Sequence, residues 1–146
     1  MADSKSERVL KALQSALAGY VPSGAVVERN ASVPIRVPPG GWVCLRDGDP
    51  GDPEFLMSPP VYVYDHRAEV DIVVELPTAA ARDALFDELK QAVGRAISVD
   101  RTLGGLCDYA LGEAPVPAEV PIEGGENLKA ATVGIILTYG SSDPLA

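Results

Sequence analysis

Residues 68–97 read AEVDIVVELPTAAARDALFDELKQAVGRAI, and the change of pattern within them decides the fold class. Over residues 68–76 apolar and acidic side chains largely alternate, which is typical of a strand with one buried face and one wet face. From Ala79 to Ile97 apolar residues recur every three or four positions, which predicts an amphipathic helix with Thr78 as its N-cap. We therefore expect a half-buried strand followed directly by a helix that covers it.

The same patterns predict elements on both sides of this stretch. A first amphipathic helix is expected over residues 3–20, capped by Ser4 or Ser6, and a last strand over residues 131–139. The remaining strands are predicted at residues 25–29, 41–46, 61–65 and 107–111. Turns between consecutive strands are too short for crossover helices, so the sheet should be mostly antiparallel.

The predicted fold class is α+β, with a mostly antiparallel sheet, two amphipathic helices packed on one face, and long loops. A chain of 146 residues supports a single domain, residues 1–146. The long loops are residues 33–41, which contain three prolines, residues 47–60, and residues 114–127. Long loops in a compact domain tend to carry function, so we expect these segments to make contacts with other subunits.

The charge balance excludes several classes of partner. The chain has 21 acidic and 12 basic residues, a formal net charge of −9. Binding of DNA, RNA or an anionic membrane needs clustered Lys and Arg, so neither nucleic acid nor a membrane surface is expected as a bound partner. The N-terminus lacks the basic and apolar pattern of a secretory signal, and no apolar run is long enough to span a membrane.

No constellation of residues predicts an enzyme, a cofactor or a metal ion. His66 is the single histidine; it falls at a junction or turn between two predicted strands, and no nucleophile motif accompanies it. Asp47, Asp49, Asp52 and Glu54 offer oxygen ligands to calcium, but without the EF-hand pattern they are interpreted as a solvated turn. Cys44 and Cys107 are interpreted as buried thiols, with a disulfide or a reactive thiol as alternatives.

Four stretches resemble the head–tail proteins of phages and gene transfer agents. They are RDGDPG at 46–51, DRTLGGLCD at 100–108, EGG at 123–125 and LTYGSSDPL at 137–145. The resemblance covers nearly the whole chain. These proteins are similar to the tail terminators of long-tailed phages. Such proteins often carry the genomic label of an acyl-CoA transferase, although they are too short for that activity.

The resemblance implies a structural virion protein of the tail or neck, assembled in the host cytoplasm. Tail terminators form a homo-oligomeric ring, commonly a hexamer, that caps the tail tube, stops its polymerisation and meets the connector of the head. DNA passes through the lumen of the ring without specific binding. An acidic strand face would repel phosphate there, so we expect the carboxylates of Glu69, Asp71 and Glu75 to face the lumen.

Loop placement selects the residues expected at contacts with subunits or partners. They lie in the acidic loop, the glycine turn, the segment after residue 114 and the C-terminal tail: Asp47, Asp49, Asp52, Glu54, Thr102, Leu103, Gly104, Gly105, Leu106, Pro117, Glu119, Asp143, Pro144 and Leu145. For Asp47, Gly48, Gly104 and Gly105 the alternative is that they merely close turns. Two other functions stay open: a head-completion or neck connector protein, and a small hydrolase or transferase.

Overall fold

The computed structural model describes residues 2–118 and 127–146. Within them the chain forms two helices, α1 (Lys5–Tyr20) and α2 (Ala79–Ser98). The strands are β1 (Val26–Arg29), β2 (Trp42–Asp49), β3 (Glu54–Met57), β4 (Pro60–Glu75), β5 (Tyr109–Gly112), β6 (Val116–Ala118) and β7 (Leu128–Ser141).

α2 begins at Ala79 as predicted, and α1 begins at Lys5, two residues after its predicted start. The hydroxyl of Ser4 accepts the backbone N–H of Glu7 at 3.3 Å, and the hydroxyl of Thr78 accepts that of Ala81 at 3.2 Å. These side chains bond N–H groups that a helix end leaves without an internal partner. Ser4 rather than Ser6 is thus the cap of α1.

The strands form one open sheet in the order β1-β2-β4-β7-β5, with β3 paired to the start of β4 and β6 paired to β7. Every strand pair is antiparallel except β1 with β2, which run parallel. The central pair is β4 with β7, which stay in register from Tyr62 opposite Ser141 to Glu75 opposite Leu128. The α+β class with a mostly antiparallel sheet is confirmed.

The two helices cover one face of this sheet. Leu13 and Leu17 of α1, together with Leu89 of α2, are fully buried in the same cluster as Ile72 and Ile135 of the central strands. This is the face on which the apolar residues of the alternating strand pattern lie, because side chains two apart in a strand share a face. The placement of both helices on one face is confirmed.

The opposite face is covered only at one end. Trp42, Cys44 and Val73 form a smaller buried cluster there with Val37, which belongs to the proline-rich connector before β2. The connector therefore packs over the sheet without joining it, as expected for a segment whose prolines lack N–H donors. The rest of this face carries charged side chains.

The prediction that His66 lies in a turn or at the surface is wrong. β4 is one strand from Pro60 to Glu75, and His66 lies inside it with 3% of its surface exposed. The two predicted strands are joined because β7 pairs with β4 through this whole region, including His66 opposite Leu137. Hydrogen bonds to both ring nitrogens make burial of the polar ring possible.

The prediction of a long acidic loop is also wrong over much of residues 47–60. β2 continues to Asp49 through a bulge between Arg46 and Asp49, and residues 54–57 form β3. Gly48 adopts a left-handed φ of 70° in this bulge, where a Cβ atom would overlap the carbonyl oxygen of Arg67. Asp47 and Gly48 thus belong to a β-bulge, and the turn proper lies after Asp49.

The other strand boundaries shift by smaller amounts. The strand expected at 107–111 is observed at Tyr109–Gly112, and the segment after Ala114 contains β6. The last strand, predicted over 131–139, extends to Leu128 and Ser141 because its partner β4 is longer than predicted.

Candidate subunit-contact surface

A hairpin formed by β3 and the start of β4 carries an exposed apolar patch. Phe55 and Leu56 are each 46% exposed and Met57 is 75% exposed. The ring of Phe55 packs 4.8 Å, centroid to centroid, from that of Tyr62 on the facing strand, which orders the hairpin. Exposed apolar patches occur at contacts with proteins, membranes or ligands, which makes this hairpin a candidate contact surface.

The hairpin borders a groove of about 370 Å³ at one end of the sheet. Its lining includes three segments that the sequence predicts at contacts, through Leu56 of the hairpin, Gly105 and Leu106 of the glycine turn, and Ser141 and Ser142 of the tail, together with residues of α1, β4 and β7. Segments distant in the chain thus meet on one surface, because the start of β4 and the end of β7 lie side by side there.

The glycine turn is built by the carboxylate of Asp100. This group accepts the backbone N–H groups of Thr102 at 3.1 Å and Gly104 at 2.8 Å, and the hydroxyl of Thr102 at 2.9 Å. These bonds hold the pKa of Asp100 below its usual value, the bond from Gly104 having the largest effect. Leu103, Gly104 and Gly105 all adopt left-handed φ angles in the turn.

The side chain of Leu103 does not lie on the contact surface. It is 6% exposed and belongs to the main hydrophobic core. Leu106 packs against that core and is partly exposed in the groove. Leu103 therefore anchors the turn in the hydrophobic core, and Gly105 and Leu106 line the groove.

The C-terminal tail folds back on itself beside the groove. The hydroxyl oxygen of Ser141 lies 2.7 Å from the carbonyl oxygen of Asp143 and 2.8 Å from that of Ala146. The carboxylate of Asp143 accepts the N–H of Leu145 at 2.8 Å. Leu145 itself is 92% exposed, so the tail adds an exposed apolar side chain to those of the hairpin.

The remaining predicted contact residues are spread over different surfaces. Asp49, Asp52 and Glu54 are exposed in or next to the hairpin. Pro117 is exposed on β6, at the edge of the sheet beyond β7. Glu119 lies outside the described residues. The assignment of all these residues to contacts stays a prediction.

Asp47 has an internal role in the protomer. Its carboxylate accepts Nε of Arg29 at 2.8 Å, and the same guanidinium donates to both carboxylate oxygens of Glu7 at 2.6 and 2.9 Å. This arrangement joins α1, β1 and β2 and holds the pKa of both carboxyls below their usual values, chiefly through the bonds from Arg29.

The three residues predicted to face a lumen share the face of the sheet opposite the helices. Glu69, Asp71 and Glu75 alternate with buried apolar residues along β4. Arg46 donates to Asp71 at 3.0 Å, and Arg67 pairs with Glu69 at 2.6 Å. Two of the three carboxylates are thus paired with arginines on the same face, a feature that the strand pattern alone did not reveal.

Arg67 also ties the edge of the sheet to its centre. The side chain of Arg67 crosses over Gly134 of β7, and its Nε donates to the carboxylate of Glu113 at 2.8 Å. A Cβ at residue 134 would overlap the ends of both side chains, so the ion pair in this position uses the space that the glycine leaves. The crossing is possible only because Gly134 lies opposite Glu69 in the register of β4 with β7.

The buried thiols bond backbone carbonyls, and Tyr139 bonds His66. The thiols of Cys44 and Cys107 are free and buried, as expected, and burial raises the pKa of Cys107. Burial also raises the pKa of Tyr139 to about 12, so its hydroxyl stays protonated near His66. Within residues 2–118 and 127–146, no three His, Cys, Asp or Glu side chains lie close enough together to hold a metal ion.

No protein-family model matches the sequence, and no curated protein matches it. In the described part of the chain, no helix has both the length and the apolar character needed to cross a membrane.

The apolar hairpin is the main feature that sequence reasoning missed. The signal was the run Phe55-Leu56-Met57, bounded by Pro53 and Pro59 inside an otherwise polar segment. Such a run between turn residues is typical of a short strand. Its alternation is too short to show which side is buried, so only the structure reveals that all three side chains are exposed.

Proposed function

We propose that this protein is a tail terminator of a phage or gene transfer agent, which forms a ring on the end of the tail tube. The observation that carries the proposal is the exposed apolar hairpin, placed beside the glycine turn and the C-terminal tail. The resemblance of the sequence to tail terminators indicates the kind of assembly, a ring. The structure supplies a surface suited to assembly.

Burial of this surface would supply the free energy of association. Fully burying a Leu, Phe or Met side chain stabilises by about 1.5–3 kcal/mol. Phe55 and Met57 share one face of β3 and Leu56 lies on the other, and Phe55 and Leu56 are already about half buried, so a neighbour on one face gains part of this free energy, mostly from Met57. A hairpin that meets a different surface of the next subunit makes a heterologous contact, and such contacts close into rings when the rotation permits.

The experiment measures the size of the purified protein and the effect of charge in the hairpin. We expect a discrete oligomer in sedimentation velocity and a ring in electron micrographs. Met57→Glu should shift the protein to a monomer, whereas Tyr20→Glu, the same change at an exposed apolar side chain at the end of α1, should leave the oligomer intact. A monomeric wild-type protein that turns over thioesters would overturn the proposal.

A deletion of the gene separates the tail terminator from the other neck proteins. Loss of a terminator should give free heads and tails of abnormal length, because nothing stops polymerisation of the tube. Loss of a head-completion protein should instead leave tails of normal length and heads that leak DNA. Tails of normal length would therefore contradict the proposal.

A further inference from the structure

A second groove, of about 420 Å³, runs between α2 and the edge of the sheet. Its floor contains Val93 and Ile97 of α2 and Val133 of β7, and its outer wall contains Leu111 of β5 and Pro115, which lies just before β6. Gly94 opens the helix side of the groove, because a Cβ atom there would meet no atom within 4 Å. The groove is therefore concave, largely apolar and accessible among the described residues.

The charges at the rim of this groove differ from those of the protein as a whole. Lys90 and Arg101 flank it, and its one acidic lining residue, Glu113, is already paired with Arg67. Lys90 has a partner in Asp87, but both side chains of that pair are about half exposed, with 42% and 52% of their surfaces accessible. The pair of Arg67 with Glu113 is about as exposed as that of Lys90 with Asp87, so the two pairs are alike in this respect. The described lining then carries two basic side chains and one acidic one around an apolar floor, a basic excess in a chain of net charge −9.

The hairpin has the opposite character. No Lys or Arg occurs between Arg46 and Arg67, and the segment carries Asp52 and Glu54 next to its exposed apolar side chains. It projects from the start of β4, whereas the groove lies beside α2 and the middle of β7. An acidic apolar projection and a basic apolar groove on one molecule are complementary between copies.

We infer that the hairpin of one protomer docks in the groove between α2 and β5 of the next, with Met57 and Phe55 against Gly94 and Ile97, and Glu54 near Lys90. The occupant of the groove is thus a second copy of this chain. The contact is head-to-tail, so each protomer uses its hairpin once and its groove once. The inference rests on the proposed function, for which it names the surfaces that join the ring.

Gly94→Leu tests the groove without disturbing the protomer. The new side chain would fill the groove, because within residues 2–118 and 127–146 no atom lies within 4 Å of a Cβ at residue 94, and leucine favours a helix more than glycine does. We expect at least about tenfold weaker association and an unchanged or higher melting temperature. The matched control is Gly19→Leu in α1, where a Cβ also meets nothing within 4 Å and association should be unchanged.

A mixture of two defective proteins tests the head-to-tail arrangement. Met57→Glu keeps an intact groove, and Gly94→Leu keeps an intact hairpin. Each should be monomeric alone, and together they should form a one-to-one dimer that cannot grow, because only one good contact exists between them. A mixture that stays monomeric would overturn the inference.

A cross-link captures the contact directly. Met57→Cys protein mixed with Gly94→Cys protein should give dimers with a short bis-maleimide, because the native thiols of Cys44 and Cys107 are buried. Met57→Cys mixed with Gly19→Cys should give none. Equal yields from the two mixtures would overturn the inference, and so would the absence of any product.

The outcomes separate this inference from the proposed function. If Gly94→Leu protein still assembles and still limits tail length in a complementation assay, the docking site is wrong and the terminator function stands. If deletion of the gene leaves tail length normal, the function is wrong whatever the groove binds.

Discussion

The hydroxyl of Tyr139 on β7 lies 2.7 Å from Nδ1 of His66 on β4, inside the main core. The other ring nitrogen of His66 lies 2.6 Å from the carbonyl oxygen of Asp47. A carbonyl only accepts, so Nε2 of His66 carries a hydrogen and donates it to Asp47. That carbonyl lies in the bulge of β2. The side chain of His66 therefore joins β2, β4 and β7.

Replacement of this histidine should destabilise the fold. In His66→Phe the hydroxyl of Tyr139 and the carbonyl of Asp47 lose their partners in a buried place, at about 1–3 kcal/mol for each group left unpartnered. Urea unfolding measures the loss. Asp65→Ala, at the exposed neighbouring position, should cost less than about 1 kcal/mol. Equal unfolding midpoints for His66→Phe and the wild type would contradict this role.

The bonds from Arg29 should make stability depend on acidity. Glu7 and Asp47 have pKa values below their ordinary 4.5 and 3.8 in the folded protein, so the unfolded chain takes up protons first as the pH falls. Their stabilisation is therefore present above these ordinary values and is lost as the pH falls through the lower folded pKa values.

The variant Arg29→Met should remove this dependence. We expect it to be less stable than the wild type at about pH 7 and the difference to narrow below about pH 4, in urea unfolding across pH. Lys11→Met removes an exposed pair with Asp3 and serves as the control with a small effect at every pH. A difference between Arg29→Met and wild type that stays constant across pH would count against the role of Arg29.

Two glycines with similar backbone angles should respond differently to the same substitution. Gly48 has φ 70° and Gly51 has φ 69°, so alanine at either site costs about 1–2 kcal/mol for the left-handed conformation. At Gly48 the new methyl group also overlaps the carbonyl oxygen of Arg67, a backbone atom of β4, whereas at Gly51 it meets nothing. Thermal unfolding should show the larger loss for Gly48→Ala, and equal losses would contradict the packing of the bulge.

Leu103 should behave as a core residue. Leu103→Ala is expected to cost about 2–5 kcal/mol of unfolding free energy, the range for a buried leucine. Leu145→Ala, at a side chain that is 92% exposed, should change the protomer by less than about 0.5 kcal/mol. A Leu103→Ala protein as stable as the wild type in urea would show that the turn is not anchored through this side chain.

The acidic face should keep DNA from adhering to a ring. Glu75 makes no ion pair with a described residue, unlike Glu69 and Asp71. Glu75→Lys should therefore raise retention of DNA by the assembled protein at low salt, in a gel-shift measurement. Glu88→Lys, the same change on the wet face of α2, is the control; equal retention by both variants would refute a lumen-facing position for Glu75.

The sequence by itself determined the elements whose patterns are long. α1, α2 and the last strand were predicted within a few residues, because burial of one face imposes its period on many positions and because Ser4 and Thr78 are helix caps. The buried state of both cysteines also followed from residue type, since an unpaired thiol behaves as a small apolar group.

Only the tertiary structure decided how short or polar segments are used. His66 and Gly48 resemble turn residues locally, yet the long pairing of β4 with β7 carries the strand through His66, and the bulge that supplies its partner needs Gly48. The exposure of Phe55, Leu56 and Met57 likewise depends on which surfaces lie near them. Burial and hydrogen bonding between distant residues are properties of the assembled sheet, so no local pattern encodes them.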